Sequence, residues 1–159
     1  MARFDMSGLD ETIRDMRRLG QESGEAAKAM LQAGAEAVKA AWQRAAEEHG
    51  LRDTGDMIDS IGFSRNPKNI GGALSVDIYP QGKDRHGVRN AEKAFVLHYG
   101  TSKIAPKRWV DDADNYSENT AVTAMQGIWD EFVSTGKVPR VALTPNHAKG
   151  TTGIKTTKK

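Results

Sequence analysis

Apolar residues recur every three or four positions over two long stretches of the chain, and this spacing predicts amphipathic helices. The first stretch begins with four such residues: Leu9, Ile13, Met16 and Leu19. It continues from about residue 25 to residue 48 with a stripe of mostly small side chains, which would let another backbone approach closely. Because Gly20 and Gly24 separate the two parts, and glycine disfavours a helix interior, we expect two helices, the second ending at His49-Gly50.

The period shortens to two in the middle of the chain, which is typical of strands. Ile61 and Phe63 alternate with small polar residues, and after a turn at residues 66–72 the alternation resumes from Leu74 to Tyr79, ending at Pro80. Three further alternating positions predict a third strand: Phe95, Leu97 and Tyr99. Between the second and third strands, residues 81–93 form a polar, mostly basic loop.

The second helical stretch runs from about Asp112 to Val133 and is followed by a stop signal at residues 134–136. The predicted order is therefore α-α-β-β-β-α. This order indicates an α+β domain, in which a small antiparallel sheet packs against a long N-terminal helix and a C-terminal amphipathic helix.

Charge separates the chain into two parts. Of its 159 residues, the last 23 carry +6 with no acidic residue, whereas the first 136 carry −4. The basic part has few large apolar side chains and cannot form a core of its own. We therefore expect one domain over residues 1–136 and an extended basic arm over residues 137–159, which is either a solvated terminus or a segment that docks on a neighbour.

Catalytic signals are weak. The chain has no Cys, and its four His are scattered without metal-ligand spacing. Three carboxylates at the start of the last helix, Asp111, Asp112 and Asp114, could join His98 at a metal, but acids at that position usually stabilise the helix dipole. We expect no enzymatic activity, no cofactor, no metal, no signal peptide and no membrane span.

Nucleic-acid binding is the alternative from a different functional class. The basic loop and arm could contact phosphates, so the chain could be a DNA-binding packaging or regulatory protein. No helix-turn-helix, zinc-finger or RNA-binding motif accompanies them, and the domain itself is weakly acidic.

Two short segments contain turn residues whose chemistry suits a projecting loop. Gly100 permits a sharp turn, Thr101 can bond the neighbouring backbone, and Pro106 keeps the preceding residue extended. Trp109 is the type of amphipathic side chain that is enriched at interfaces, and Thr54-Gly55 suits a cap and turn. The alternative is that both segments are internal turns and that Trp109 is buried.

The order and spacing of these segments resemble a known family. Residues 51–61 are similar to an element of the form TG-x-L-x-x-S-I, and residues 94–113 to a pattern containing E/H-x-G-T and a later Pro. With the two long helices, residues 5–134 resemble the gene-product-ten-like neck and tail-completion proteins of long-tailed phages. The chain departs from that family in the spacing between Pro106 and Trp109 and in its basic arm.

The resemblance implies a structural virion protein at the head–tail junction or tail top, made in the host cytoplasm. It would form a ring around the DNA channel, in six or twelve copies, that completes or joins the tail; a tail-terminator ring is the alternative within this class. Partners would be further copies and the head-closure, tail-terminator and tail-tube proteins, with genomic DNA nearby and no membrane. The expected interface residues lie in both segments, the basic loop and the arm: Thr54, Gly55, Lys83, Arg85, Arg89, Tyr99, Gly100, Thr101, Lys103, Pro106, Trp109, Arg140, Val141 and Leu143.

Overall fold

The structure, a computed structural model, describes residues 7–144, with the backbone alone for residues 7–13, 15 and 16. Its long elements are the helices α1 (Ser7–Glu48), α3 (Asn90–Tyr99) and α4 (Trp109–Thr135). A short helix, α2 (Asp56–Asp59), and four three-residue strands lie between α1 and α3: β1 (Ile61–Phe63), β2 (Lys68–Ile70), β3 (Ala73–Ser75) and β4 (Ile78–Pro80). The α+β class is confirmed.

The expectation of two N-terminal helices is wrong, because α1 is one helix of 42 residues. Gly20 and Gly24 lie within it, and a side-chain carbon added at either position would meet no atom within 4 Å. Each glycine costs about 1 kcal/mol relative to Ala, which is too little to end a helix whose neighbouring residues are strong helix formers.

The pairing of α1 and α4 is the largest contact between elements. Small residues make it close: Ala26, Ala29, Ala33, Ala41 and Ala45 are buried on α1. A Cβ at Gly34 would lie 2.9 Å from the Met125 sulfur, so Gly34 faces α4 directly. The expectation that this stripe admits another backbone is therefore confirmed.

The predicted third strand is also wrong, because residues 95–99 belong to helix α3. Alternation over only five residues fits a strand and a helix alike. The buried residues Asn90, Ala94 and His98 recur every four positions, and this helical period decides the structure.

The strands form two separate antiparallel pairs instead of one sheet. Strand β1 pairs with β4, with Ile61 opposite Pro80, and β2 pairs with β3 across the turn at Gly71-Gly72. Both glycines have positive φ, 60° and 86°, as a tight two-residue hairpin turn requires. The glycine turn and the end of β4 at Pro80 are confirmed, but the single strand predicted from Leu74 to Tyr79 is wrong, because it divides into β3 and β4, and the region predicted as a turn contains β2.

Helix α4 extends the predicted last helix by a turn at its beginning and ends at Gly136, whose φ is 66°. The chain then continues to Thr144 without helix or strand. Val138, Val141 and Leu143 are half-buried there, and the Lys39 ammonium donates a hydrogen bond to Thr144 Oγ1 over 2.8 Å. The start of the expected arm thus contacts α1, and residues 145–159 lie outside the described residues.

Because α1 is continuous and open around its first two glycines, we predict that Gly20→Ala and Gly24→Ala each stabilise this part of the helix by about 0.5–1 kcal/mol. Amide hydrogen exchange of residues 17–28 should slow several-fold. Gly34→Ala is the matched control, because its Cβ would meet Met125 and offset the gain. Unchanged exchange in both variants would contradict a continuous helix.

Candidate partner-binding groove

The two motif segments are far apart in the sequence but line one open groove of about 760 Å³. Five segments of the chain supply its apolar lining: the turn that follows α1, the short helix α2, the loop before α3, helix α3 and the loop before α4. The apolar lining residues include Leu51, Met57, Ile58, Val88, Val96 and Ile104. Val88 and Ile104 are exposed, so the apolar lining continues onto the outer surface. An apolar concave surface of this size suits a side chain or peptide segment of a partner.

Thr54 and Gly55 shape one end of the groove. Gly55 has a φ of 84°, in the left-handed region, and precedes α2 directly. The Asp56 amide donates to Thr54 Oγ1 over 3.4 Å. The turn predicted from Thr54-Gly55 is therefore confirmed, with Gly55 as the N-cap of α2 and no side-chain hydrogen bond from that cap residue.

An ion pair joins this turn to the basic loop. Asp56 is buried, and its carboxylate accepts hydrogen bonds from Arg85 Nε at 2.8 Å, Arg85 Nη2 at 2.9 Å and the Arg85 amide at 3.1 Å. These bonds hold the pKa of Asp56 well below its usual range. Arg85 therefore fixes the loop to α2, although its side chain remains half exposed.

A second carboxylate organises the loop from within. The buried Asp84 accepts amide hydrogen bonds from His86 at 2.9 Å and Val88 at 2.8 Å, and it pairs with the Lys93 ammonium. The contact with Lys93, together with these amides, lowers the pKa of Asp84. The loop between β4 and α3 is thus a compact turn, while Lys83 and Arg89 remain exposed.

The turn at Gly100 encloses the other end of the groove. Gly100 has a φ of 77°, and a Cβ there would lie 2.6 Å from the Ile104 carbonyl oxygen and 2.7 Å from the Pro106 nitrogen. Thr101 Oγ1 accepts from the amides of Lys103 at 3.2 Å and Ile104 at 3.1 Å. The sharp turn at Gly100 and the backbone bonding by Thr101, both predicted from the sequence, are confirmed.

Trp109 does not project from this loop, and this corrects its expected position as an exposed interface residue. Its ring is fully buried, 5.3 Å from the Trp42 ring in an edge-to-face arrangement, and its Nε1 donates to the Ala94 carbonyl over 3.4 Å. For Trp109 the structure supports the alternative reading, in which this side chain is buried, whereas residues 101–108 of the loop before it are exposed.

His98 positions the start of α4. Its buried ring accepts the Val110 amide at Nδ1 over 3.3 Å, and its carbonyl accepts the Arg108 amide over 3.2 Å. Asp111 lies 3.7 Å from Nε2. Within residues 7–144, no group of three or more His, Asp or Glu side chains is arranged to hold a metal ion.

The predicted interface residues are spread over several surfaces. Among those outside the core, Lys83, Arg85, Arg89, Tyr99, Thr101, Lys103, Pro106 and Arg140 are exposed, and Thr54, Gly100, Val141 and Leu143 are half-buried. Gly55 is buried like Trp109. Thr54 and Gly55 line the groove, whereas Tyr99 lies outside it. Their role in binding a partner remains a prediction.

Sequence reasoning missed Phe95, which it placed in a strand. Phe95 is 63% exposed and its ring lies 4.7 Å from the ring of Tyr99, which is 56% exposed. With Tyr79 they surround a shallow pocket of about 230 Å³ whose lining includes Trp109. The spacing of Phe95 and Tyr99 by four, read as helical, places them on one face and could have identified this pair.

A comparison with protein families matches residues 10–105 to the HK97-gp10-like family, described as "Bacteriophage HK97-gp10, putative tail-component". The chain belongs to this family. The match extends from α1 through the turn after Gly100, so it includes almost all of the groove and the exposed rings of Phe95 and Tyr99. Helix α4 lies beyond the matched range. Searches of curated proteins and of solved structures returned no match.

Its family is thus one whose members are described as phage tail components. This finding supports the expectation of a structural virion protein and agrees with the expectation that the chain is not an enzyme. Within residues 7–144, no helix combines the length and apolar character that crossing a membrane requires.

Because other backbone atoms approach Gly100 closely, we predict that any side chain at this position destabilises the fold. Gly100→Val should lower the free energy of unfolding by about 1–3 kcal/mol or more, because it adds a steric clash to a strained φ. Gly71→Val is the matched control, since Gly71 also has positive φ but open space around it. Equal losses in the two variants, measured by chemical denaturation, would show that the contact with Ile104 and Pro106 is unimportant.

The pKa of Asp56 predicts part of the acid sensitivity of the fold. Because Arg85 lowers this pKa in the folded state, the unfolded state binds the proton more tightly. The stabilisation is therefore complete above the unfolded pKa of about 4 and is lost as the pH falls below it.

Asp56→Asn should lower the free energy of unfolding at pH 7 and flatten its fall below about pH 4. Asp77→Asn is the control, because the Asp77–Lys68 pair is exposed and contributes little. Parallel curves of unfolding free energy against pH for the wild type and Asp56→Asn would contradict this assignment.

Proposed function

We propose that this tail component is a structural protein of the head–tail junction or tail top, whose copies form a ring around the DNA channel and complete or join the tail. Neighbouring head-closure, tail-terminator or tail-tube proteins are its expected partners. The observation that carries the proposal is the exposed aromatic surface of α3, within the family-matched range. A tail-terminator ring would use the same surfaces, and the position of the protein in the particle separates the two.

Two aromatic side chains of α3 form this surface together with one from strand β4. Phe95 is 63% exposed, Tyr99 56% and Tyr79 46%, and the rings of Phe95 and Tyr99 are in contact. Exposed aromatic clusters are enriched at protein–protein interfaces, because rigid rings bury a large area at a small entropic cost. The rings offer a partner an apolar surface without rearrangement of the backbone.

Helix α3 presents a second surface on another side. Val96 and Leu97 line the groove, whereas Phe95 and Tyr99 line the aromatic pocket, and the two concavities share no lining residue. Two different surfaces on one subunit allow head-to-tail contacts, in which one copy presents its groove side and the next its aromatic side. Such contacts close into a ring when the rotation between copies divides a full turn.

The double variant Phe95→Ser with Tyr99→Ser tests this proposal. A phage lacking its own copy of the gene should incorporate the variant into particles at least tenfold less than the wild type, because the aromatic contact area is lost. The purified variant should keep its helix content, since both rings are exposed.

Ile70→Ser is the matched control, because Ile70 is an equally exposed apolar residue on the hairpin of β2 and β3. It should be incorporated like the wild type. Normal incorporation and normal infectivity of the double variant would contradict a role of the α3 surface in assembly.

A further inference from the structure

Helix α4 is strongly acidic. It contains six carboxylates and no Lys or Arg: Asp111, Asp112, Asp114, Glu118, Asp130 and Glu131. Asp111 lies near Arg108, and Asp112 bonds His49. The remaining four are exposed and form no ion pair with any residue in the described part of the chain. Their negative charge is available to a basic partner.

Apolar residues continue the exposed face of α4. Val122 is 59% exposed, Trp129 44% and Val133 64%. Glu118, Val122, Trp129 and Val133 fall within about 60° of one another around a helix that turns 100° per residue. One side of α4 therefore offers carboxylates in its first half and apolar side chains in its second half.

The described chain ends at a position separated from this face by α1. Gly34 of α1 faces Met125 of α4. Thr144 instead bonds the side chains of Glu36 and Lys39, which lie about 140–200° from Gly34 around α1. Helix α1 thus lies between α4 and the last described residue, so the chain leaves on the side of α1 away from its own α4.

We propose that the exposed face of α4 binds residues 145–159 of a neighbouring copy. These residues include Lys149, Lys155, Lys158 and Lys159 with no acidic residue, and Ile154 supplies an apolar side chain. Of the four unpaired carboxylates of α4, Asp114 and Glu118 lie on or beside this face, and lysines of the segment would pair with them. Fifteen extended residues reach roughly 50 Å, enough to follow a helix of 27 residues, which is about 40 Å long.

This contact deepens the proposed function and rests on it, because it requires repeated copies. The chain leaves the subunit on one side of α1, and the acceptor face of α4 lies on the other side. A head-to-tail contact between copies needs such an arrangement. The contact adds charge attraction to the apolar contacts of α3, and its strength should therefore depend on salt.

Disulfide trapping tests the contact directly, because the chain contains no Cys. Full-length Gln126→Cys supplies the acceptor thiol beside Val122 and Trp129, and full-length Thr156→Cys supplies the donor thiol between lysines. Mixed under mild oxidation, the two proteins should give at least tenfold more linked heterodimer than Thr156→Cys mixed with Ser102→Cys, whose thiol lies on the exposed loop after Gly100. Raising the salt to about 1 M, where the screening length is about 3 Å, should lower the yield several-fold.

A charge exchange separates docking from misfolding. Asp114→Lys with Glu118→Lys in the acceptor should reduce the heterodimer to the Ser102→Cys level. Lys155→Glu with Lys158→Glu in the donor should restore it, which a misfolded acceptor could not allow.

Equal yields at Gln126→Cys and Ser102→Cys would overturn the inference. A chain that carries both Gln126→Cys and Thr156→Cys and forms only an intramolecular disulfide would also overturn it. The same holds if residues 145–159 bind DNA and no heterodimer forms. Suppose that trapping gives no specific heterodimer, while particles incorporate the wild type and not the double variant at Phe95 and Tyr99. In that case the proposed function stands and this docking contact fails. If the heterodimer forms but phage particles do not contain this chain, the docking contact stands while the proposed function fails.

Discussion

The buried ring of Trp109 holds together the elements on which the other surfaces depend. It is the first residue of α4, it packs edge-to-face on Trp42 of α1, and it donates to a carbonyl of α3. Around it lie small or apolar residues of α1 and α4 and the segment that forms α2. Because one side chain contacts three helices, the angle of α3 to α1 and α4, and with it the shape of the groove, depends on this packing.

Two buried carboxylates fix the loop between β4 and α3 to the neighbouring helices. Asp56 binds Arg85 and Asp84 binds Lys93, so the residues between β4 and α3 are tied to α2 on one side and to α3 on the other. Each carboxylate is buried, and its hydrogen bonds offset the cost of removing its charge from water. Arg85 and Lys93, two of the basic residues in the predicted loop 81–93, therefore form ion pairs within the fold.

Much of the architecture could be predicted from local chemistry. The stop at Gly136, the turn at Gly100 and the close approach at Gly34 follow from residue types, and the structure confirms them. Helix α3 could not be predicted in this way, because alternation at Phe95, Leu97 and Tyr99 is short enough to fit a strand. The groove was not predictable either, because it depends on packing between segments some 40 residues apart, and Trp109 could be placed in the core only once that packing was known.

The family match indicates a phage tail component, and the proposed contacts would use several faces of the subunit. The matched range contains nearly all of the groove and the aromatic rings of α3, whereas the acidic helix α4 and the basic C-terminal segment lie beyond it. Contacts built on apolar rings would hold subunits together at any salt concentration, and contacts between α4 and the basic segment would add strength that salt controls.

The most direct test of the ring proposal is a cryo-electron microscopy reconstruction of the phage head–tail junction with the subunit structure fitted into the density. The proposal predicts a closed ring of identical copies around the channel, with Phe95 and Tyr99 at the contact between neighbouring proteins. Density for the protein away from the junction and the tail top, or a ring in which the aromatic side of α3 faces solvent, would contradict it.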